Sequence, residues 1–228
     1  MGDREPGKLY VVAVPIGNLG DITFRAIDTL KSVSFIAAED TRTSSILLRH
    51  YGISRPLLSF HSYSTQERLE EIVNKILNGE SAALITDAGT PGISDPGYVL
   101  VNSVLRHGCD VVPIPGPTAL ITALSASGLR TDRFVFEGFL PLKKGRKTKL
   151  MRLAEETRTI VIYESTHRIE RTLEELLNAF GDRKCVVARE LTKIHETFYR
   201  GSISTVLAKL KQDVKKGEFV IIVEGKEN

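Results

Sequence analysis

From Thr86 to Gly97 the chain reads Thr-Asp-Ala-Gly-Thr-Pro-Gly-Ile-Ser-Asp-Pro-Gly, directly after the apolar run Ala82-Ala83-Leu84-Ile85. The glycines and prolines forbid continuation of a strand and build a stiff, open turn at its carboxyl end. Glycines let backbone N–H and C=O groups approach a ligand closely, and prolines keep the turn from collapsing when nothing is bound. Gly- and Pro-rich loops also follow apolar runs at Pro15 and at Pro115. Their chemistry is that of a backbone-lined small-molecule site. A second chemistry is signalled by Lys143-Lys144-Gly145-Arg146-Lys147-Thr148-Lys149, a basic run suited to a polyanion.

Several chemistries are absent. No Gly-x-x-x-x-Gly-Lys-Ser/Thr occurs, which excludes a P-loop nucleotidase. Pro-Ile-Gly-Asn-Leu-Gly after the first apolar run lacks the Gly-x-Gly-x-x-Gly dinucleotide fingerprint. His50, His61, His107, His167 and His195 are scattered with no Cys or His at zinc spacing, so no metal is expected. There is no Gly-x-Ser-x-Gly elbow for a serine nucleophile.

The elements that must position these loops can be read from periodicity. Leu9 to Val14, Val33 to Ala38, Ala82 to Ile85 and Asp110 to Ile114 are apolar strands of the kind buried on both faces of a parallel sheet. Between them, Phe24 to Leu30 carries helical spacing with Asp21 or Thr23 as N-cap, and Ile46 to Ile53 suggests a short helix. Leu69 to Leu77 and Tyr98 to His107 predict two further helices, closed by Gly79 and Gly108. Thr118 to Ser127 reads as a small, buried helix after a Gly/Pro turn.

The character then changes. Strands are expected at Phe134 to Phe139, Thr159 to Tyr163, Lys184 to Ala188, Glu196 to Tyr199 and Phe219 to Val223. The helices expected among them run from the basic loop to about Glu156, from an N-cap at Ser165 through Phe180, and from Ile203 to Lys211. Strands alternating with helices predict an α/β fold of two domains, residues 1–120 and 121–228, with a mainly parallel first sheet and a mixed second one. No internal repeat or low-complexity segment interrupts this order.

Composition agrees with a globular protein, with 42% hydrophobic and 26% charged residues among 228. The net charge of +3 conceals an asymmetry: residues 1–125 carry 10 Lys and Arg against 13 Asp and Glu, whereas residues 126–228 carry 21 against 15. The second half therefore suits a polyanionic partner. No apolar run has the length of a transmembrane helix, and Met1-Gly2-Asp3-Arg4-Glu5-Pro6 lacks the layout of a signal peptide. Cys109 and Cys185 form neither a zinc pattern nor a redox pair, so a reducing, cytoplasmic setting without membrane association is expected.

Five strings in order carry a resemblance over nearly the whole chain. They are Val14 to Thr23, Ala38-Glu39-Asp40-Thr41-Arg42-Thr43, Thr86 to Gly97, Pro113 to Ala119, and Tyr163-Glu164-Ser165-Thr166-His167-Arg168. Together they closely resemble the ribosomal small-subunit methyltransferase I group of the tetrapyrrole methylase superfamily. The Glu-Asp-Thr-Arg and Asp-Ala-Gly-Thr-Pro-Gly-Ile-Ser-Asp-Pro-Gly strings are specific to that group, and the Pro-Gly turn at Gly116 is shared more widely.

The resemblance implies a homodimeric enzyme that uses S-adenosylmethionine to methylate the ribose 2′-oxygen of a cytidine in the decoding region of 16S ribosomal RNA. It places the cofactor in the interdomain cleft. By motif, cofactor contacts fall at Ile16, Gly89, Thr90, Pro91, Ile93, Thr118 and Ala119, and in the second domain at Tyr163, Ala188 and Val223. Glu39, Asp40 and Asp87 each follow a strand and could accept the hydroxyl proton. Asp40 and Arg42 are read as the catalytic, substrate-side pair, with Arg42 gripping RNA phosphate and Asp40 orienting it. Many members of the group carry a basic C-terminal extension beyond the last strand, whereas this sequence ends at Asn228. That leaves Lys143, Lys144, Arg146, Lys147, Lys149 and Arg168 as the expected RNA contacts, with the small ribosomal subunit or its RNA as partner. Two other readings are a corrin-pathway methylase acting on a polyanionic macrocycle and a non-catalytic RNA-binding assembly factor on the same fold.

Overall fold

A computed structural model describes residues 5–213 and 216–227. Met1-Gly2-Asp3-Arg4 and Asn228, read above as sequence, lie outside the described residues. The chain divides into two compact units, Met1–Thr118 and Ala119–Asn228.

The first unit is built on strands β1 (Leu9–Val12), β2 (Phe35–Ala38), β3 (Leu57–Ser59), β4 (Ala82–Ile85) and β5 (Val111–Ile114) in the order β3-β2-β4-β1-β5. Every pairing is parallel. All residues of β2 and β4 are buried, as befits strands covered on both faces. Helices α1 (Phe24–Ser32) and α2 (Thr41–His50) contribute Ala26, Leu30 and Leu48 to one core cluster, with Ile36, Ala83 and Ile85 from the strands. Helices α3 (Gln66–Leu77) and α4 (Gly97–Arg106) contribute Ile72, Val73, Ile76, Leu100 and Val104 to another, with Phe35, Ala82 and Leu84.

Alternate strand residues thus feed opposite faces. In α3 the Thr65 side chain accepts the Arg68 N–H and starts the helix, and Leu69, Ile72, Val73 and Ile76 bury one stripe. Ile72 and Ile76 are fully buried, each contributing about 1.5–3 kcal/mol.

The order of strands creates the site. From β2 the chain goes to β3 at one edge, and from the neighbouring β4 it goes through α4 to β5 at the other edge. Loops that part in this way leave a crevice at the carboxyl ends of β2 and β4.

The second unit contains β6 (Phe134–Phe139), β7 (Thr159–Ser165), β8 (Lys184–Arg189), β9 (Thr197–Ser202) and β10 (Glu218–Val223) in the order β6-β7-β10-β8-β9. Only β6 and β7 pair in parallel; the other pairs are antiparallel. Helices α5 (Ala119–Ser125), α6 (Arg146–Ala154), α7 (Ile169–Phe180) and α8 (Ile203–Gln212) complete it. Leu150 and Leu153 of α6, Leu173 and Leu176 of α7, and Val206 and Leu210 of α8 share one core with Ile160, Ile162, Val187 and Ile221. Among the described residues no helix is long and apolar enough to cross a membrane.

Four local differences from the sequence reading have physical causes. The first strand ends at Val12, and Val14 instead forms a lone bridge with Gly89. Helix α2 starts at Thr41 because Asp40 accepts the Arg42 N–H as N-cap. Ser165 is not a helix N-cap: it ends β7, its hydroxyl donates to the Glu164 carboxylate, accepts from Arg168 Nε and meets no helix N–H, and α7 begins at Ile169 without a side-chain cap. The three-residue edge strand β3 was not expected, being too short to show alternation.

Candidate active site

Backbone bonds knit the loops at the carboxyl edge of the first sheet. Val14 N–H donates to Gly89 O at 2.9 Å, and Gly89 N–H donates back to Val14 O at 3.0 Å, joining the loops that follow β1 and β4. Thr90 Oγ1 donates to Pro117 O at 3.1 Å, joining the loop after β4 to the loop after β5. Gly89 has φ +84°, and a Cβ there would stand 3.4 Å from Ile16 Cγ2. A residue with a side chain would be strained in that backbone, although its Cβ would meet Ile16 only in ordinary van der Waals contact. Asp95 Oδ1 accepts from Gly92 N–H at 2.8 Å and Gly97 N–H at 2.7 Å, so its carboxylate folds the turn into α4.

The structure thus brings Ile16, Gly89, Thr90, Pro91 and Ile93 into a shared loop cluster, with Thr118 just beyond the Pro117 carbonyl that Thr90 binds. Ile16 and Pro91 are buried in it, whereas Ile93 is exposed. In the second unit, Tyr163 Oη accepts the Leu120 N–H at 2.9 Å at the start of α5, beside Ala119. Phe136 and Phe139 hold the Tyr163 ring edge-on. Ala188 and Val223 are fully buried on interior strands with paired backbones, so sheet and core account for both.

At the crevice between β2 and β4 three carboxylates gather. Asp40 N–H donates to Asp87 Oδ1 at 3.1 Å, and the buried Thr86 hydroxyl donates to Glu39 Oε2. Asp40 also forks Arg42, accepting Nε at 3.2 Å on Oδ1 and Nη2 at 2.9 Å on Oδ2, while the Arg42 side chain stays 90% exposed. The hydrogen bonds from Arg42 hold the Asp40 carboxyl at about 2, and Asp40 in turn raises Arg42. Asp87 behaves oppositely. Partial desolvation raises it above the usual aspartate value, and Glu39 and Asp40 add to the rise against the opposing Asp40 N–H.

Asp40 is thus committed to its cap and ion pair, whereas the Asp87 carboxyl binds its proton more tightly than an ordinary aspartate. Thr86, not singled out from sequence, orients Glu39; its only sequence signal is a hydroxyl at a strand end.

The expected RNA contacts separate into two sets. Lys143, Lys144 and Lys147 are exposed. Arg146 is not available to RNA: it is 5% exposed, and its guanidinium donates to Glu175 Oε2 at 2.6 Å, Thr172 Oγ1 at 2.7 Å and Pro141 O at 3.1 Å. Arg168 is likewise engaged by the buried Glu164 at 2.9 Å and by Leu140 O at 3.3 Å, and Lys149 pairs with Glu137. Thr172 Oγ1 donates to Glu164 Oε2 at 2.7 Å and links the two arginines into one network. A charge run in sequence does not show which cations the fold consumes.

Comparison with known proteins agrees with this geometry. The tetrapyrrole (corrin/porphyrin) methylase family profile matches residues 8–207. A Xylella fastidiosa protein named ribosomal RNA small subunit methyltransferase I is 51% identical over 224 residues, covering 96% of this chain and 82% of that protein. Proteins of the same name from Escherichia coli O157:H7 and Thermotoga maritima are 49% and 45% identical. Those alignments cover 98% and 97% of this chain, and 79% and 100% of the relatives.

Among solved structures, a cobalt precorrin-4 methyltransferase superposes with TM-score 0.70 at 19% identity, over 95% of this chain and 94% of that one. A diphthine synthase superposes with TM-score 0.74 at 12% identity, over 96% and 90%. At those identities the two structures show a shared fold alone. With its knitted Gly/Pro loops and this extent of identity, the chain belongs to the tetrapyrrole methylase family, in its ribosomal RNA small subunit methyltransferase I group.

Proposed function

We propose that this protein methylates ribosomal RNA of the small subunit, transferring the methyl of S-adenosylmethionine to the ribose 2′-oxygen of a cytidine in the decoding region. Relatives at about half identity bear the name of that enzyme, and the observation that carries the chemistry is the Glu39, Asp40 and Asp87 cluster beside the Gly/Pro loops. S-Adenosylmethionine, when bound, supplies an electrophilic methyl on a cationic sulfonium. The loops suit it: Gly89 admits no side chain without strain, Ile16 and Pro91 offer apolar surface, and the nearby carboxylates match its positive charge. Ile16, Gly89, Thr90, Pro91, Ile93 and Thr118 of the first unit would hold it, and Ala119 and Tyr163 of the second fix the start of α5.

The residues of the chain divide the remaining work. Asp87 takes the proton of the attacking hydroxyl, a role worth typically 10²–10⁴-fold in rate for general bases. Its raised carboxyl is the better matched of the two aspartates. Arg42, oriented by Asp40, presents an exposed guanidinium to a phosphate flanking the target nucleotide. Holding hydroxyl and methyl donor in line contributes further, roughly 7 kcal/mol or more in well-aligned cases. The family resemblance supports a homodimer acting in the cytoplasm, which sedimentation of the purified protein and cell fractionation would test.

The deciding experiment is transfer of labelled methyl to small ribosomal subunits that lack the modification, followed by nucleoside analysis. 2′-O-Methylcytidine at one position is the expected product. Transfer to a precorrin macrocycle instead would assign the protein to corrin chemistry, and absence of S-adenosylmethionine binding by calorimetry would leave only a non-catalytic RNA-binding role.

A further inference from the structure

A pocket of about 420 Å³ lies within the second unit between α6 and α7, within the roughly 300–1,000 Å³ range of small-ligand sites. Lys143 and Lys147 stand on its α6 side and Arg171 on its α7 side, all exposed. Among the described residues Lys143 and Lys147 form no ion pair. The single carboxylate of the lining, Glu175, is already claimed by Arg146 at 2.6 Å and Arg171 at 2.9 Å. Burial pushes the Glu175 carboxyl up, but the two arginines more than reverse this and keep it ionised. Among the described residues Glu175 is the one acid paired with this lining, which therefore carries a net positive charge.

A second observation points to an anion at the same place. Helix α6 begins after Gly145, at φ +80°, with no side-chain cap and no acidic residue in its first turn, where Arg146 and Lys147 stand instead. Helix N-termini favour negative charge by about 0.3–1 kcal/mol each and disfavour cations similarly. Arg146 is consumed by Glu175 and Thr172, so Lys147 is the first-turn cation left facing the pocket.

A third observation narrows the ligand. Leu150, Met151 and Ala179 give the pocket an apolar floor, Met151 is 57% exposed, and the exposed Asn178 offers both a donor and an acceptor. Phosphate alone or an acidic side chain would leave that floor uncovered. A nucleobase would cover it, because thioether sulfur packs well against aromatic edges and splayed RNA bases are recognised by such contacts plus edge hydrogen bonds.

We infer that the α6/α7 pocket seats one nucleotide of single-stranded RNA, its phosphate on Lys143 and Lys147 and its base on Met151 beside Asn178. The choice of RNA as occupant rests on the proposed function, while the polarity of the pocket does not.

The test is fluorescence anisotropy with a labelled six-nucleotide oligocytidylate, an abasic ribose-phosphate hexamer and hexaglutamate as competitor. Lys143→Gln and Lys147→Gln should each weaken oligocytidylate binding about tenfold, and each should reduce the salt slope by about 0.7 for a single strand. Met151→Ala should weaken oligocytidylate several-fold and leave the abasic hexamer unchanged. Heat unfolding and S-adenosylmethionine binding should stay as in the wild type, since these side chains are on the surface. Wild-type affinity in all three variants, equal loss for the abasic hexamer in Met151→Ala, or displacement of RNA by equimolar hexaglutamate would overturn the inference. Oligonucleotide binding does not depend on methyl transfer. A protein that binds through this pocket but fails to methylate subunits would sink the proposed function alone, and one that methylates while the pocket variants bind normally would sink this inference alone.

Discussion

The two units use the same raw material, five strands and helices packed on them, to place polar chemistry in different ways. In the first, all strands run parallel, so their carboxyl ends lie along one edge and the loops after β1, β4 and β5 can be joined by hydrogen bonds. In the second, the strands β7, β10, β8 and β9 alternate in direction and distribute their loops over both edges. Its concentrated charge lies instead on helices, along α6 and α7. Net charge follows the same division, with 10 basic against 13 acidic residues up to Thr118 and 21 against 15 after it, the residues between 119 and 125 being uncharged. A parallel sheet gathers backbone groups and carboxylates along one edge, and a mixed sheet leaves its charge on the exposed faces of helices.

The sharpest way to break this division is Asp87→Asn. Its amide oxygen can still accept the Asp40 N–H, so the loop should keep its shape while the proton acceptor is lost. A fall in kcat of roughly 10²–10⁴-fold, about 2.7–5.5 kcal/mol, is expected with unchanged S-adenosylmethionine affinity. Single-turnover methyl transfer on undermodified subunits would check it; a loss below tenfold would move the proton acceptor to Glu39 or to solvent.

Next in size is Arg146→Ala, which should act on folding of the second unit and not on RNA contact. Removing one partner of a buried pair costs about 3–5 kcal/mol, and the partly exposed Glu175 places this pair near the lower end. A loss of about 3 kcal/mol corresponds to a melting temperature lower by roughly 10 °C. Lys144→Gln, on the exposed part of the same basic run, should stay within about 0.5 kcal/mol of wild-type stability. Parallel calorimetric scans of the two variants would separate scaffold from surface, and equal melting temperatures would contradict the division.

A smaller effect is expected at Gly89→Ala. The left-handed backbone at φ +84° imposes a strain of about 1 kcal/mol or more on any residue with a Cβ. Stability should fall by that amount and S-adenosylmethionine binding should weaken with it, because relieving the strained φ would shift the backbone that Gly89 shares with Val14. Isothermal calorimetry at wild-type affinity would show that the Val14–Gly89 bridge is not part of the cofactor site.

These contrasts explain what the sequence could and could not show. Gly/Pro loops after apolar runs are visible because residue type alone dictates backbone geometry, so the strand ends at Pro15, Asp87 and Pro115 could be found by inspection. The Asp40–Arg42 pair, two residues apart, was legible, whereas the contact that sets Asp87 apart from Asp40 was hidden because it spans 47 residues of sequence. Burial was hidden too. Arg146 and Lys147 are adjacent in one basic run, but one closes a buried network and the other faces solvent. Ser165 had the type and spacing of a helix cap, but its hydroxyl is engaged by Glu164 and Arg168 and the helix starts only at Ile169.

The finest test of the comparison lies inside the carboxylate cluster, where Asp40 and Asp87 should respond to pH with opposite sign. Arg42 holds the Asp40 carboxyl at about 2 in the folded protein, below its unfolded value near 3.8. Its stabilisation is therefore fully present above the unfolded value and lost as pH falls through about 2. Asp87 has a raised folded value, so the native state binds its proton more tightly than the unfolded chain does, and ionising it above that value costs stability. At pH 7 Asp40→Asn should lower the melting temperature slightly, limited by the exposure of the pair, and Asp87→Asn should raise it slightly while abolishing most activity. Below pH 3 both differences should shrink, because both wild-type carboxyls approach protonation. A melting temperature for Asp87→Asn at or below the wild type at pH 7 would mean that Asp87 is held in place for structure, and that the first unit carries no strained acceptor at its strand ends.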